Sequence, residues 1–155
     1  MKIDITKKEY RSLVDLLEIA NWVLNAHSDW DREEVGKYHA LIQKIYAYAK
    51  EMECGDILEY SEKLAGYFAT AQYEEKGAHR RFIDEFEEDS FWNELSHKLA
   101  FRDVIQQEGE TALEEMNFME RATKLREFLS WYEEEFNDNG LANVRVVQER
   151  SNKVN

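Results

Sequence analysis

The sequence contains no proline in 155 residues and only six glycines. Proline removes a backbone hydrogen-bond donor and glycine has a high entropic cost of ordering, so both interrupt helices. A chain with so few of either has little to stop a long helix. We therefore expect a mainly α fold: a single-domain helical bundle of four long helices plus short helices over residues 1–148, with a flexible C-terminal tail at 149–155.

The first helix is predicted from its start signal and its periodicity. Thr6 and Glu9 have the spacing of a capping box, in which each side chain accepts a hydrogen bond from the other residue's backbone. Apolar residues then recur every three or four positions, which places them on one face. These residues are Tyr10, Leu13, Leu17, Ala20, Leu24 and His27.

A second helix is predicted from about residue 31 to residue 53, ended by Cys54-Gly55. The linker between the first two helices is short, so we expect antiparallel neighbours. Further along the chain, Leu58-Glu59-Tyr60 alternates like a strand, and residues 143–147 are rich in valine. These two segments could form one two-stranded β-ribbon, about 57–61 with 143–147.

Three further helices are expected after the ribbon segment. One begins near Thr70 and is interrupted near Gly77. Asp89-Ser90 has the composition of a cap for another, which Gly109 ends. The last helix is predicted from about 111 to 138, since apolar residues step regularly along it and Asn139-Gly140 follows as a stop signal.

The charge balance and the lack of targeting signals limit the classes of function. There are 33 acidic and 20 basic residues, a net charge of −13, which opposes binding to phosphate backbones. Residues 1–5 contain no apolar signal region, and the longest apolar run, 45–49, is far too short to span a membrane. The single cysteine cannot form an intramolecular disulfide. We expect a cytoplasmic protein without direct nucleic-acid or membrane binding.

A family resemblance extends over nearly the whole chain. The segments 82–86, 91–95 and 101–103, together with the opening 5–10 and the closing 139–141, resemble small acidic all-α bacterial proteins of unassigned function. The resemblance implies an all-α fold. It implies no activity and no site residues.

Metal-site motifs are weak. Glu94 and His97 form one Glu-x-x-His pair, whereas di-metal carboxylate bundles need two such pairs. His27, Asp29 and Asp31 form a second weak group, but an aspartate that caps the following helix explains the acids better. We therefore expect no bound metal and no cofactor.

Catalytic motifs are also missing. The sequence has no nucleophile elbow, no phosphate-binding glycine loop and no Cys-x-x-Cys pair. Cys54 is predicted at a helix C-terminus, where the dipole disfavours a thiolate. Arg32 and His39 have a spacing that resembles the HEPN group of helical ribonucleases, but acids surround this arginine. The absence of these motifs favours a non-catalytic protein over an enzyme.

Apolar side chains on the wrong helix face are the most informative anomaly. On a helical projection Trp22 lies about 170° and Ile19 about 130° from the apolar stripe of the first helix. On the last helix Leu113, Met116 and Trp131 lie roughly 140–160° from its stripe. Either neighbouring segments cover these residues, or they form an interface, where tryptophan is favoured as an anchor.

These observations favour a non-catalytic protein–protein interaction module. Trp22 and Trp131 would anchor a protein partner or a second copy in a homodimer, and the acidic surface would select a basic partner. Two alternatives remain open. One is a metal-dependent hydrolase or oxidase that uses Glu94 and His97, and the other is an inhibitor that mimics nucleic acid.

Overall fold

The computed structural model describes residues 3–26 and 33–145, so the predicted tail at 149–155 lies outside the described residues. Within them the predicted mainly α fold, with four long helices, short helices and one ribbon, is confirmed. The elements in chain order are α1 (Lys7–Asn25), α2 (Glu33–Tyr46), β1 (Leu58–Ser61), β2 (Gly66–Ala69), α3 (Ala71–Lys76), α4 (Ala78–Glu108), α5 (Glu110–Glu115) and α6 (Phe118–Asn139).

The chain divides into two compact units, Met1–Glu87 (unit 1) and Glu88–Asn155 (unit 2). Helix α4 contributes residues to both. The core of unit 1 consists of Tyr10, Val14, Ile42, Tyr46, Ala49, Cys54, Ile57 and Leu58. In unit 2 the buried residues Ala100, Tyr132 and Phe136 pack with half-buried apolar side chains of α4 and α6. The prediction of one domain over residues 1–148 stays a prediction.

The start of α1 confirms the predicted capping box. The Glu9 backbone N–H donates to Thr6 Oγ1 at 3.3 Å, and the Thr6 backbone N–H donates to Glu9 Oε2 at 2.8 Å. Two amides that the helix itself leaves without partners are therefore satisfied by local side chains.

The buried face of α1 is shifted from the predicted stripe. Tyr10 and Val14 are fully buried, whereas Leu13 is half-buried and Ala20 is exposed. His27, predicted to end the stripe, lies outside the described residues. Tyr10 and Leu17 of the predicted stripe do pack in the core of unit 1, so the stripe is confirmed in part, and the buried face is rotated from it towards Val14.

Helix α2 ends at Tyr46, seven residues before the predicted end at 53. The amides of Tyr48 and Ala49 donate to the carbonyls three residues earlier, at 3.1 and 2.9 Å, in place of the α-helical pattern. Glu53 has a φ of 50°. The segment after Tyr46 is thus a series of tight turns. Its apolar residues keep a helical spacing, and this spacing alone does not distinguish tight turns from a helix.

The ribbon exists, but its predicted pairing was wrong. β1 pairs antiparallel with β2, with Leu58 opposite Ala69 and Ser61 opposite Gly66, instead of with residues 143–147. Residues 143–145 form no strand, and 146–147 lie outside the described residues. The two strands are joined by four residues, so their pairing closes a much shorter loop than the predicted one.

The interruption at Gly77 is confirmed, and the helix start predicted at Asp89-Ser90 is wrong. Thr70 caps α3 by accepting from the Tyr73 amide, and α4 begins at Ala78. Helix α4 then continues through residues 89 and 90 for 31 residues. Aspartate and serine favour caps but do not break a helix, and no glycine or proline is present there. Gly109, with a φ of 85°, ends it as predicted.

The last predicted helix, 111–138, is two helices. Between α5 and α6 the Asn117 side chain accepts from the Glu120 amide at 3.0 Å, and Glu120 accepts from the Asn117 amide at 3.1 Å. This second capping box starts a new helix inside an otherwise regular apolar pattern. The stop at Asn139-Gly140 is confirmed, with Gly140 at a φ of 54°.

Within the described residues, none of the helices combines the length and the apolar character needed to span a lipid bilayer.

Candidate functional site

Unit 1 contains a cavity of about 440 Å³, here called the unit 1 pocket, formed by residues of α1, α2, the ribbon and α3. Its main polar lining residues come from three helices. They are Glu18, Asn21 and Asn25 of α1, His39, Gln43 and Tyr46 of α2, and Glu74 of α3. A concave site with a few convergent polar groups is the usual form of a small-molecule site.

Glu18 is held in place by a buried tyrosine. The Tyr46 hydroxyl donates to Glu18 Oε1 at 2.6 Å, and Tyr46 is only 3% exposed. Burial, and then the negative charge of Glu18, raise the pKa of Tyr46, so the hydroxyl keeps its proton and remains a donor. Within residues 3–26 and 33–145, no basic side chain forms an ion pair with Glu18.

An amide and an imidazole meet on another wall of this pocket. Asn25 Nδ2 donates to the Asn21 carbonyl at 2.6 Å and to Asn21 Oδ1 at 2.9 Å, and it lies 3.3 Å from His39 Nε2. An amide nitrogen can only donate, so His39 Nε2 accepts in this arrangement. The contact ties the end of α1 to α2.

Gln43 fixes the ribbon against α2. Its Nε2 donates to the Tyr67 carbonyl at 2.8 Å, and its Oε1 accepts from the Tyr67 amide at 2.7 Å. A Cβ on Gly66 would lie 2.9 Å from Gln43 Oε1, so a larger residue at this position would displace the Gln43 amide from the Tyr67 backbone. The wall of the pocket formed by β2 is therefore set by one side chain of α2.

A partly buried cluster of Asp15, Tyr73 and His79 lies elsewhere in unit 1. The Tyr73 hydroxyl donates to Asp15 Oδ1 at 2.6 Å, and the Tyr73 and His79 rings are 4.7 Å apart. Burial raises the pKa of Tyr73, and its hydrogen bond to Asp15 raises it further. His79 is 3% exposed, and its Nδ1 is 3.7 Å from Asp15 Oδ1 with no hydrogen-bond partner among the described residues. The cluster joins α1, α3 and α4.

Unit 2 carries a different kind of concavity, here called the Trp131 surface, which is lined by Asp103, Glu127, Phe128 and Trp131 and encloses about 450 Å³. The Trp131 side chain is 57% exposed. Its ring contacts the edge of Tyr132, with 4.8 Å between centroids, so the exposed ring has a defined position.

Asp103 is positioned by two neighbours. It accepts hydrogen bonds from the Tyr132 hydroxyl and, at 2.7 Å, from Arg102 Nε. Arg102 Nη2 also donates to the Tyr132 hydroxyl at 3.0 Å. Burial raises the pKa of Tyr132, and its bond to Asp103 raises it further. A fixed carboxylate thus lies on the same surface as an exposed indole.

The predicted interface residues differ in their exposure. In unit 1, Ile19 and Trp22 are half-buried, and the Trp22 ring contacts Phe86 edge to face at 6.5 Å. In unit 2, Leu113 is only 6% exposed and is part of the interior. Met116 is half-buried, and Trp131 alone among the five is exposed.

The predicted metal-binding pair is on the surface. Glu94 and His97 are both exposed, and Glu94 forms an ion pair with Lys98 at 3.1 Å. Among the residues that the structure describes, no group of three or more His, Cys, Asp or Glu side chains has the arrangement of a metal site. The remaining metal-ligand candidates, His27, Asp29 and Asp31, lie outside the described residues. Arg32, the arginine of the ribonuclease-like spacing, lies outside them too.

The residues of the unit 1 pocket were not identified from the sequence as a group. Asn21 and Asn25 are four residues apart on α1, a spacing that places both on one face. In the sequence, His39 is a candidate only because of its spacing from Arg32, which resembles that of helical ribonucleases. The pairing of Glu18 with Tyr46 has no sequence signal, because 28 residues separate the two.

Comparisons with known proteins give no assignment: no family model matches the chain, and neither a curated protein nor a solved structure shows significant similarity to it. The geometry of the two concavities therefore carries the functional argument.

Proposed function

We propose that the protein is a non-catalytic interaction module that binds a basic segment of a partner protein at the Trp131 surface. The observation that carries the proposal is the 57% exposure of Trp131 beside Phe128, in a concavity that two carboxylates also line. Trp131 was already expected from the sequence as an interface anchor.

The aromatic part of this surface favours contact with a protein side chain. A large aromatic residue contributes strongly when an interface buries it, and Tyr132 already holds the Trp131 ring in place. An indole face also attracts a lysine or arginine, by about 0.5–2 kcal/mol depending on how far the pair is removed from water.

The charges of the surface favour a basic partner over an acidic one, and Glu127 contributes most, because Asp103 already forms an ion pair of 2.7 Å with Arg102. Asp103 and Glu127 line the concavity with the two rings. The whole chain has a net charge of −13, which accelerates association with a basic molecule and repels a second copy of the chain. The same charge disfavours nucleic acid. A basic protein segment is therefore the occupant that we propose, ahead of a homodimer.

The proposal also includes the cytoplasm of a bacterium as the site of action. Its support is the resemblance of the sequence to small acidic bacterial proteins, together with the buried free thiol of Cys54. Unpaired buried cysteines are typical of proteins in reducing compartments.

The test is a calorimetric titration with a defined probe, a ten-residue peptide of alternating arginine and leucine. Its control is the same peptide with citrulline in place of arginine, which has nearly the same shape but no charge. We expect the arginine peptide to bind at least tenfold more tightly. Trp131→Ala should weaken its binding about tenfold, equivalent to ~1.4 kcal/mol.

Phe118→Ala is the matched control variant, because Phe118 is on the same helix and 81% exposed but does not line the Trp131 surface. It should bind the arginine peptide as the wild type does. Equal binding of the two peptides, or equal loss in both variants, would contradict the proposal. A dimer in sedimentation that Trp131→Ala dissociates would favour self-association instead.

A further inference from the structure

The unit 1 pocket has a chemical character that the proposed interaction role does not use. We infer that it binds a small organic cation, whose guanidinium or ammonium group is directed to the carboxylates of Glu18 and Glu74. The inference is independent of the Trp131 surface, which belongs to unit 2 and takes a macromolecular partner.

The pocket carries negative charge that no basic residue of its lining balances. Glu18 and Glu74 both line the pocket, and the lining contains no lysine and no arginine. Neither carboxylate forms an ion pair with another residue in the described part of the chain. Glu18 is half-buried, so its charge is less well solvated than that of a surface carboxylate. A cationic ligand would supply the missing counter-charge.

Most of the remaining lining is uncharged. Asn21, Asn25 and His39 offer amide and imidazole groups, which can orient a ligand without opposing its charge. Ile42 and Leu64 contribute apolar wall, which suits a short carbon chain. The volume of about 440 Å³ lies within the range of ~300–1,000 Å³ typical of small-molecule sites.

Hydrogen bonds within the protein preorganise the pocket. Glu18 is held by the Tyr46 hydroxyl at 2.6 Å, and Gln43 fixes the Tyr67 backbone by two hydrogen bonds. Because these contacts hold the side chains and backbone that line the pocket, little side-chain ordering remains to be done on binding. The pocket is thus a formed site, distinct from a loose cluster of surface acids.

The experiment compares two probes of nearly equal shape by calorimetry on the full-length chain. Butylguanidine carries one positive charge, and butylurea is its neutral counterpart. We expect butylguanidine to bind with at least tenfold higher affinity than butylurea. Equal affinity for the two, or no binding of butylguanidine at millimolar concentration, would overturn the inference.

Variants localise the binding. Glu18→Gln and Glu74→Gln should each weaken butylguanidine binding at least fivefold, because each removes one pocket charge. Glu75→Gln is the matched control, since Glu75 adjoins Glu74 in the chain, is exposed and does not line the pocket. Glu74 is itself exposed, so its variant tests the site even where Glu18→Gln impairs folding.

A second readout excludes a general surface effect. In a proton–nitrogen correlation spectrum, butylguanidine should shift the side-chain amide signals of Asn21 and Asn25, which line the pocket, and leave that of Asn143 in unit 2 unchanged. Shifts spread over carboxylate-rich surface segments, with Glu74→Gln and Glu75→Gln binding equally, would show nonspecific cation attraction and overturn the inference.

Discussion

Each of the two units is stabilised internally by a different kind of contact. In unit 1, polar side chains join elements that are far apart in sequence: Tyr46 to Glu18, Tyr73 to Asp15 and Gln43 to the Tyr67 backbone. In unit 2, aromatic rings of α4 and α6 pack together at the centre: the Phe136 ring lies 5.5 Å from that of Trp92 and 5.6 Å from that of Tyr132, between centroids. Hydrogen bonds fix the positions of donor and acceptor, whereas packed rings contribute mainly buried apolar area.

This difference explains where each unit leaves room for a ligand. The polar contacts of unit 1 hold carboxylate and amide groups around a cavity, which suits a small polar molecule. Unit 2 uses its aromatic residues for packing and leaves Trp131 exposed beside Asp103, which suits a larger basic partner. Four predictions would break or sharpen the comparison.

The largest effect is expected from Phe136→Ala in unit 2. Phe136 is 7% exposed and contacts both Trp92 and Tyr132, so its removal leaves a cavity in the smaller core. We expect a loss of about 3 kcal/mol in the free energy of unfolding, measured by urea titration. Phe118→Ala, at an exposed site of the same helix, should change it by less than about 0.5 kcal/mol.

Gly77→Ala in unit 1 should have the next largest effect. An added Cβ would lie 2.5 Å from the Tyr73 carbonyl oxygen and from His79 Cε1, and a backbone atom cannot simply move aside. We expect a loss of about 2 kcal/mol in thermal or urea unfolding. Gly55→Ala is the control, because no atom lies within 4 Å of its added Cβ. Equal stability of the two variants would contradict the close packing of α3 against His79.

Tyr73→Phe tests a single polar contact of unit 1. The variant keeps the ring against His79 and removes only the hydroxyl that donates to Asp15 at 2.6 Å. Asp15 is part-exposed and regains water, so we expect a loss of about 1 kcal/mol. In a double-mutant cycle with Asp15→Ala, which removes the acceptor, the two losses should not add, and full additivity would mean that the hydroxyl bond contributes nothing.

The smallest effect concerns an exposed ion pair of unit 1. Arg11 donates two hydrogen bonds of 2.8 Å to Asp56, and these are the main cause that lowers the Asp56 pKa. Because the folded pKa lies below the ordinary value, the stabilisation is present above that value and is lost as the pH falls through the folded pKa. Arg11→Met should raise the Asp56 pKa towards its ordinary value in an NMR titration.

Glu9 provides the internal control for that titration. Its pKa is lowered mainly by the backbone hydrogen bond from Thr6, so Arg11→Met should leave it unchanged. A matching rise at Glu9 would mean that general charge, and not the bidentate contact, controls both carboxyls.

Local signals in the sequence predicted much of the fold. The Thr6–Glu9 box, the break at Gly77 and the stops at Gly109 and Gly140 involve residues within one helical turn, so they can be read directly. The second capping box at Asn117 has the same form but was hidden inside a regular apolar pattern. Because the apolar periodicity continues across this box, it predicts one helix where the capping residues start a second one.

Features that depend on distant residues were beyond the sequence. The partner of β1 was mistaken because valine content at 143–147 indicates strand propensity but not pairing. The unit 1 pocket depends on contacts such as Glu18 with Tyr46, which no spacing rule connects. For the Trp131 surface the sequence identified the indole, from its position on the helix face, but not the carboxylate of Asp103.

Indole signals in the NMR spectrum test the interaction proposal most directly, since the chain has four tryptophans and each gives its own N–H resonance. On titration with the arginine–leucine peptide, the Trp131 resonance should shift, while that of Trp92, whose Nε1 donates to Glu88 at 2.6 Å, and that of half-buried Trp22 should stay in place. A shift at Trp22 or Trp92 with none at Trp131 would contradict the assignment of the binding surface.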